Sequence, residues 1–149
     1  MKKYVLLLIA VTLMNSVFAQ KEPKRQKDKI LANRIYTIEM TEVGGKKKAK
    51  VLADEVSFKD DKLNTLNFHK EHNFPASHYS VKIDSSGAEK IYSFESNSKS
   101  EQHEHEALRW EGTITGDSIA GNAQWMKDGA LKKEYSYTGT WKNKKKGKK

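Results

Sequence analysis

Two histidines stand out as possible metal ligands. His103 and His105 lie two positions apart, so on a β-strand both side chains would point to the same face. With a third ligand, such a pair could bind Zn²⁺ or Cu²⁺. The spacing matches no specific metal-binding motif, and two solvent-exposed imidazoles explain it more simply. The sequence therefore predicts no metal site and no cofactor, and it leaves His103 and His105 as the candidates if a metal binds.

Residues suited to covalent or acid–base catalysis form no recognisable site. The chain has no cysteine, which excludes thiolate chemistry and cysteine-bound metals. Its serines form no Gly-x-Ser-x-Gly motif of the kind that presents a nucleophile at a sharp strand-to-helix turn. Asp54-Glu55 and Asp60-Asp61 flank a predicted strand, where acidic residues are more simply turn formers than an acid–base pair. We therefore predict that the protein is not an enzyme.

Aromatic residues recur at positions that alternating strands would place on one face. In a small barrel this face is the interior, where the rings either pack into a core or line a pocket for one small ligand. Composition alone does not separate these two possibilities. The candidate ligand-binding residues are Tyr36, Phe58, Tyr79, Phe94, Trp110, Trp125 and Tyr137.

Eight short segments of alternating hydrophobicity must position these aromatic residues. Most are joined by connections of a few residues, and no helical stretch is long enough to cover an open sheet. Closure of the sheet into a barrel removes its exposed edges. The sequence thus predicts an all-β fold, an eight-stranded antiparallel up-and-down barrel. The predicted strands span residues 34–43, 55–59, 62–68, 77–84, 89–97, 106–115, 118–126 and 131–141.

The last three strands allow a prediction of register. A tight turn at Gly116-Asp117 would place Gly112 opposite Gly121, and glycine on both strands lets a sheet coil sharply. A five-residue loop over 126–130 would then bring Tyr135 opposite Gly121. In that position Tyr135 would cover the glycine pair, as aromatic residues do in bent sheets.

Three stretches of this region resemble a known family. They are residues 54–63 (DEVSFKDDKL), 110–125 (WEGTITGDSIAGNAQW) and 135–142 (YSYTGTWK). Their turns and aromatic residues are similar to those of small secreted bacterial lipocalin-like (calycin-type) β-barrel proteins. The resemblance covers most of residues 34–142. It implies an eight-stranded barrel with an apolar ligand cavity.

The first residues have the composition of a secretory signal peptide. Lys2 and Lys3 precede an apolar run over residues 4–14, and Val17 and Ala19 place small residues before Gln20. The run is too short to span a membrane stably. We therefore predict a signal peptide over residues 1–19 and an exported, soluble protein, either periplasmic or extracellular.

The positive charge of the chain belongs to its two ends. Residues 20–33 carry five basic and two acidic residues, and residues 142–149 carry six lysines and no acid. Residues 34–141 carry 15 basic and 17 acidic residues, so the predicted barrel domain is nearly neutral. This distribution argues against a specific nucleic-acid partner. We predict a flexible basic leader over 20–33 and a disordered lysine-rich tail over 142–149, which could contact an anionic envelope surface.

Two functional hypotheses follow. In the first, the exported lipocalin-like barrel binds a small hydrophobic or amphipathic molecule in its interior. In the second, the barrel is filled and acts as a scaffold for an envelope-associated interaction protein, whose basic ends contact anionic surfaces. An open interior would favour the first hypothesis, and a filled one would favour the second.

Overall fold

The chain folds into a closed antiparallel barrel, as described by a computed structural model for residues 28–45 and 49–142. Each strand pairs with its neighbour in sequence, and the last strand pairs with the first. The predicted all-β, eight-stranded up-and-down barrel is therefore confirmed. Its elements are β1 (Ile35–Glu42), β2 (Val51–Lys59), β3 (Lys62–Thr65), α1 (Leu66–His72), β4 (Ser77–Asp84), β5 (Ile91–Lys99), β6 (Glu106–Thr115), β7 (Ser118–Lys127) and β8 (Ala130–Trp141).

Alternating side chains explain most of the strands. In β1, Tyr36, Ile38 and Met40 are fully buried, whereas Thr37 and Glu39 between them are exposed. This period of two is what a strand with one buried face requires. The barrel thus has one apolar interior, built from every second residue of its strands.

The predicted register of β6 and β7 is confirmed. Thr115 pairs with Ser118 across a two-residue turn, and Gly112 lies opposite Gly121. The glycines let the two strands approach each other and the ring of Tyr137 closely. The Tyr137 hydroxyl donates to the Glu111 carbonyl at 3.0 Å, directly beside the glycine pair.

The predicted register of β8 is wrong by two residues. The loop before β8 is only Asp128-Gly129, so Lys127 pairs with Ala130, and a bulge follows between Trp125 and Met126. Both turn residues have positive φ, 52° and 75°, which the Asp-Gly dipeptide favours in a tight hairpin.

The shift changes which aromatic residue covers the glycines. Tyr137, and not Tyr135, lies opposite Gly121. Strand alternation through the buried Tyr135 and Tyr137 would place Leu131 in the interior as well, but Leu131 leaves 52% of its surface exposed. The cause is the short turn together with the bulge, which move the start of β8 relative to the interior.

A short helix replaces the end of the predicted third strand. β3 stops at Thr65, and α1 continues from Leu66 to His72. Asn73 ends the helix in a left-handed conformation, with φ of 55°, and its N–H donates to the Phe68 carbonyl. Phe68 is buried against the rings of Trp110, Trp125 and Tyr135. The helix therefore closes one end of the barrel, which we call the upper end.

Residues 28–33 close the opposite, lower end. The flexible leader was predicted to span 20–33, but its described part is packed against the barrel. Leu31 is fully buried, and the Asn33 N–H donates to the Phe58 carbonyl at 2.7 Å. Arg34 lies over the rings of Tyr92 and Trp141 at the same end. The folded body thus begins by residue 28. The predicted signal peptide and tail residues 143–149 lie outside the described residues.

Large side chains occupy the interior between these two closures. Phe58 illustrates the packing, because its ring lies edge-on to those of Tyr36, Tyr79 and Phe94, with centroids 5.0 to 6.1 Å apart. The largest fully buried side chains include Trp110, Tyr36, Tyr137, Phe58, Phe74 and Leu31.

Candidate functional site

The wall of the barrel has a notch beside β4. β4 pairs with β3 at only two positions, Lys62 with His78 and Leu63 with Ser77. Its pairing with β5 continues from Tyr79 to Asp84. The β2–β3 hairpin is too short to accompany β4 further, because the chain already turns at Asp60-Asp61, where both residues have positive φ. Among residues 28–45 and 49–142, the lower half of β4 therefore pairs with a strand on one side, β5.

Backbone groups of β4 point into this notch. The Tyr79 N–H donates to the Asp61 carbonyl at 3.4 Å, so it points away from β5. Backbone groups alternate sides along a strand, so the N–H and C=O of Val81 and Ile83 point the same way. Within residues 28–45 and 49–142, these groups have no hydrogen-bond partner across the notch. In the part of the chain that the structure describes, β4 thus has an edge with unpaired donors and acceptors in an otherwise closed barrel.

An open groove of about 1210 Å³ runs along the notch. Tyr79, Val81 and Ile83 line it from the inner face of β4, and Ile30 adds an apolar side chain from the segment that closes the lower end. Ile83 leaves 49% of its surface exposed, and Val81 is half-buried. The polar rim comes from outer-face side chains of three strands: His78 and Ser80 of β4, Glu95 and Asn97 of β5, and Arg109 of β6.

A hydrogen-bond network around Asp28 forms one wall of the groove. The Tyr79 hydroxyl donates to Asp28 Oδ2 at 2.6 Å, and the N–H groups of Ile30 and Leu31 donate to the same carboxylate. The Asp28 N–H donates in turn to Asp61 Oδ1 at 2.7 Å. Burial and the neighbouring Asp28 charge raise the pKa of Tyr79, so its hydroxyl stays protonated as a donor. The groove therefore has a fixed polar wall beside its apolar one.

The seven aromatic residues predicted to bind a ligand lie in two different environments. Tyr79 lines the groove. The other six are buried among themselves and their neighbours, with Trp110 packed against Tyr137 at a centroid distance of 5.2 Å. Their role as ligand contacts stays a prediction, and their observed role is packing. The six are Tyr36, Phe58, Phe94, Trp110, Trp125 and Tyr137.

The candidate metal ligands His103 and His105 lie at the upper end, in the connection before β6, and both are exposed. Among the described residues, no group of three metal-ligating side chains includes them. Nearby Glu106 is buried and already partnered, because Trp125 Nε1 and Lys132 Nζ donate to its two oxygens. Burial acts to raise the pKa of Glu106, but these hydrogen bonds and the Lys132 charge outweigh it and hold the pKa below its usual value. This cluster links β6, β7 and β8 at the upper end.

A second groove of about 460 Å³ lies on the outer face, across β4 to β7. Small and polar side chains line it, such as Ser80, Ser93, Thr113 and Asn122. It adjoins Gly112 and Gly121. Phe94 and Ala120 also line it, but its volume is less than half that of the groove in the notch, so it offers less room for an amphipathic ligand.

Asp54 is a buried acid that holds the start of α1. Its Oδ1 accepts the N–H groups of Glu55 and Asn67, while Oδ2 is buried without a partner in the described part of the chain. The helix has no side-chain cap of its own at Thr65, so Asp54 supplies one from β2. Burial, the largest influence, raises the pKa of this carboxyl against the effect of the backbone donors.

Replacing Asp54 by asparagine is therefore expected to change how stability depends on pH. A raised pKa in the folded state means that its contribution to stability is complete below the unfolded pKa, about 3.9, and is lost as pH rises through the folded value. The Asp54→Asn amide keeps an acceptor for the helix but carries no charge to desolvate. In urea titrations at several pH values, the stability of the variant relative to the natural protein should rise from about pH 4 to neutrality. If the stabilities of the two proteins changed with pH in the same way, the raised pKa of Asp54 would be contradicted.

The sequence carried only a faint signal for the groove. The alternation in residues 77–84 correctly placed Tyr79, Val81 and Ile83 on one face. The contribution of Ile30 and Asp28 was missed, because those residues precede any regular strand pattern. The turn residues Asp60-Asp61 were the available clue, since they limit β3 to a length shorter than that of β4.

Comparisons of this chain with known proteins found no match. No family model matches it, and neither does any curated protein or solved structure. Within the part of the chain that the structure describes, no helix has the length and apolar character needed to cross a membrane.

Proposed function

We propose that this protein is an exported, non-enzymatic binding protein of the lipocalin-like type, and that its amphipathic ligand lies in the groove beside β4. The observation that supports this proposal is the position of the open space. The centre of the barrel is occupied by side chains such as Trp110 and Tyr36, whereas a groove of about 1210 Å³ lies open at the notch, between apolar and polar side chains.

The composition of the groove fits a ligand with both apolar and polar parts. Binding sites combine a mainly apolar lining with a few placed polar groups. Here Val81, Ile83 and Ile30 supply the apolar part, and the Tyr79–Asp28 network and the rim supply the polar part. Charges of both signs occur on the rim, with Glu95 near Arg109, so the lining favours no strongly charged ligand.

Export is part of the proposal because it determines where the ligand is met. Support comes from Lys2 and Lys3, the apolar run after them and the small residues before Gln20. The protein would act in the periplasm or outside the cell, as a soluble barrel. Its ligand would then be a molecule of that compartment.

A second candidate function is supported by the filled interior. With both ends closed by Phe68 and Leu31, the barrel can act as a rigid scaffold for an envelope-associated interaction protein. The six lysines of residues 142–149 would then contact anionic surfaces, each adding at most about 1 kcal/mol. Binding to anionic vesicles that disappears when residues 142–149 are deleted would support this candidate.

Fluorescence titration with the uncharged dye N-phenyl-1-naphthylamine tests the groove. Ile83→Asp places a charge on the apolar wall, where it loses hydration when the dye binds. We expect the variant to bind the dye at least about tenfold more weakly. The dye carries no charge, so the lysine-rich tail should not attract it.

Ile91→Asp is the matched control for this titration. Ile91 is also an isoleucine at a partly exposed strand position, 37% exposed, but it lies outside the groove. Its dye affinity should stay within about twofold of the natural protein. Equal losses in both variants, or no binding by the natural protein, would argue against a ligand in the groove.

A further inference from the structure

We propose that the groove receives an extended peptide segment of another protein, which adds to β4 as an antiparallel strand. This inference rests on the proposed function, because it names the class of ligand for the same groove. Its first support is the backbone. The N–H and C=O groups of Val81 and Ile83 point into the notch and lack partners among the described residues. Their spacing matches that of the backbone donors and acceptors of a second strand, so such a strand could pair with them.

The size and shape of the groove favour an extended ligand over a compact one. Pockets for small molecules usually hold about 300–1,000 Å³ and enclose most of the ligand. This groove is larger, at about 1210 Å³, and open along its length. The edge from Ser80 to Asp84, which is unpaired among the described residues, could pair with a peptide over about 15 Å, at roughly 3.3 Å per residue.

The side chains around the edge define the composition of the peptide. In an antiparallel pair, residues directly opposite each other share a face. Peptide residues opposite Val81 and Ile83 would thus point inward, towards Ile30 and the lower end of the barrel. The residues between them would point outward beside Lys82, which is exposed. The expected peptide therefore alternates apolar and polar residues, without a requirement for net charge.

Antiparallel orientation follows from the place that the peptide would take. β3 is antiparallel to β4 and begins only at Lys62, so an added strand would occupy the position beside the rest of β4, where no described residue pairs with it. A second copy of this chain fits the edge less well. In the two-fold register that sets Val81 opposite Ile83, Lys82 would face the partner's Lys82, and like charges in direct opposition are destabilising.

Fluorescence anisotropy with labelled synthetic peptides tests the inference on the natural protein. The probe is the acetylated and amidated heptapeptide Lys-Thr-Val-Thr-Val-Thr-Lys. Two analogues carry backbone N-methyl groups, either on both valines or on the second and third threonines. In the antiparallel arrangement the valine N–H groups face β4, so their methylation should weaken binding at least about tenfold. Methylation of the threonines should change binding by less than about threefold.

Two variants of Ile83 separate the contribution of its backbone N–H to peptide binding from that of its side chain. Ile83→Pro removes an N–H that points into the notch, so the pairing of β4 with β5 should persist. Ile83→Ala shortens the side chain and keeps the N–H. We expect the proline variant to bind the peptide at least about tenfold more weakly than the alanine variant. Thermal unfolding of both variants checks that the barrel remains folded.

The dye, peptide and sedimentation results distinguish strand addition from the proposed function on which it rests. Dye binding that is sensitive to Ile83→Asp, together with no peptide binding, would overturn the strand addition and leave the groove as a small-molecule site. Equal binding of the two methylated analogues would also overturn it. A dimer in sedimentation that is lost in Ile83→Pro would assign the edge to a second copy and overturn it too. Failure of both dye and peptide would remove the groove as a site.

Discussion

Replacing Trp110 by alanine is expected to lower the free energy of unfolding by about 3–5 kcal/mol. Trp110 leaves 1% of its surface exposed, and its ring lies 5.2 Å from that of Tyr137 and 5.8 Å from that of Phe68. Truncation would leave a cavity that the surrounding strands cannot close, because their backbone pairing holds them apart.

Trp141→Ala is the matched control for this loss. Trp141 leaves 37% of its surface exposed at the lower end and contacts Arg34 through its ring face. Its truncation removes a partly exposed ring and one cation–π contact, so we expect a cost of about 1–2 kcal/mol. Urea unfolding followed by circular dichroism measures both variants. Similar losses for the two tryptophans would contradict a filled interior.

The result also bears on function. If Trp110 lined an empty pocket, its side chain would already face a void, and alanine would cost less. A large loss, combined with dye binding that depends on Ile83, would favour a filled barrel with its ligand in the wall. A small loss would favour a ligand site in the interior, among the aromatic residues around Trp110.

Gly121→Ala is expected to lower the free energy of unfolding by about 3 kcal/mol, the upper end of what overpacking usually costs. An added Cβ would collide with the Glu111 carbonyl oxygen, and it would lie 2.6 Å from both Gly112 Cα and the Tyr137 hydroxyl. Two of these three neighbours belong to the backbone of β6. They cannot rotate away, so the strands themselves would have to separate.

Gly87→Ala provides the comparison. Gly87 lies in the β4–β5 connection, where an added Cβ would come no closer than 3.9 Å, to the Glu89 carbonyl oxygen. Alanine there should change stability by less than about 1 kcal/mol, in the stabilising direction, because it restricts the unfolded chain. Thermal unfolding of the pair checks the prediction. A tolerated Gly121→Ala would mean that β6 and β7 can separate without loss.

Much of the barrel was already determined by local sequence. Tyr36, Ile38 and Met40 alternate with polar residues, and that period specifies a strand with one buried face wherever the strand lies in the fold. The opposition of Gly112 and Gly121 followed from one tight turn, because a two-residue hairpin determines every pair beyond it. The same rule, applied to Asp128-Gly129, gives the first two pairs of β7 and β8, but the bulge between Trp125 and Met126 shifts every pair beyond them by one residue.

Only the tertiary structure decided how the barrel is closed and where it is left open. Phe68 and Leu31 lie in segments without strand alternation. Phe68 packs against Trp110, which is distant in the chain, and Leu31 is fully buried at the lower end. The notch depends on a difference in length between β3 and β4, together with the packing of residues 28–31 beside them. Periodicity describes one strand at a time, and it carries no information about whether a neighbour continues alongside. The candidate site is therefore a property of the assembled barrel, although the residues that line it can be read in the chain.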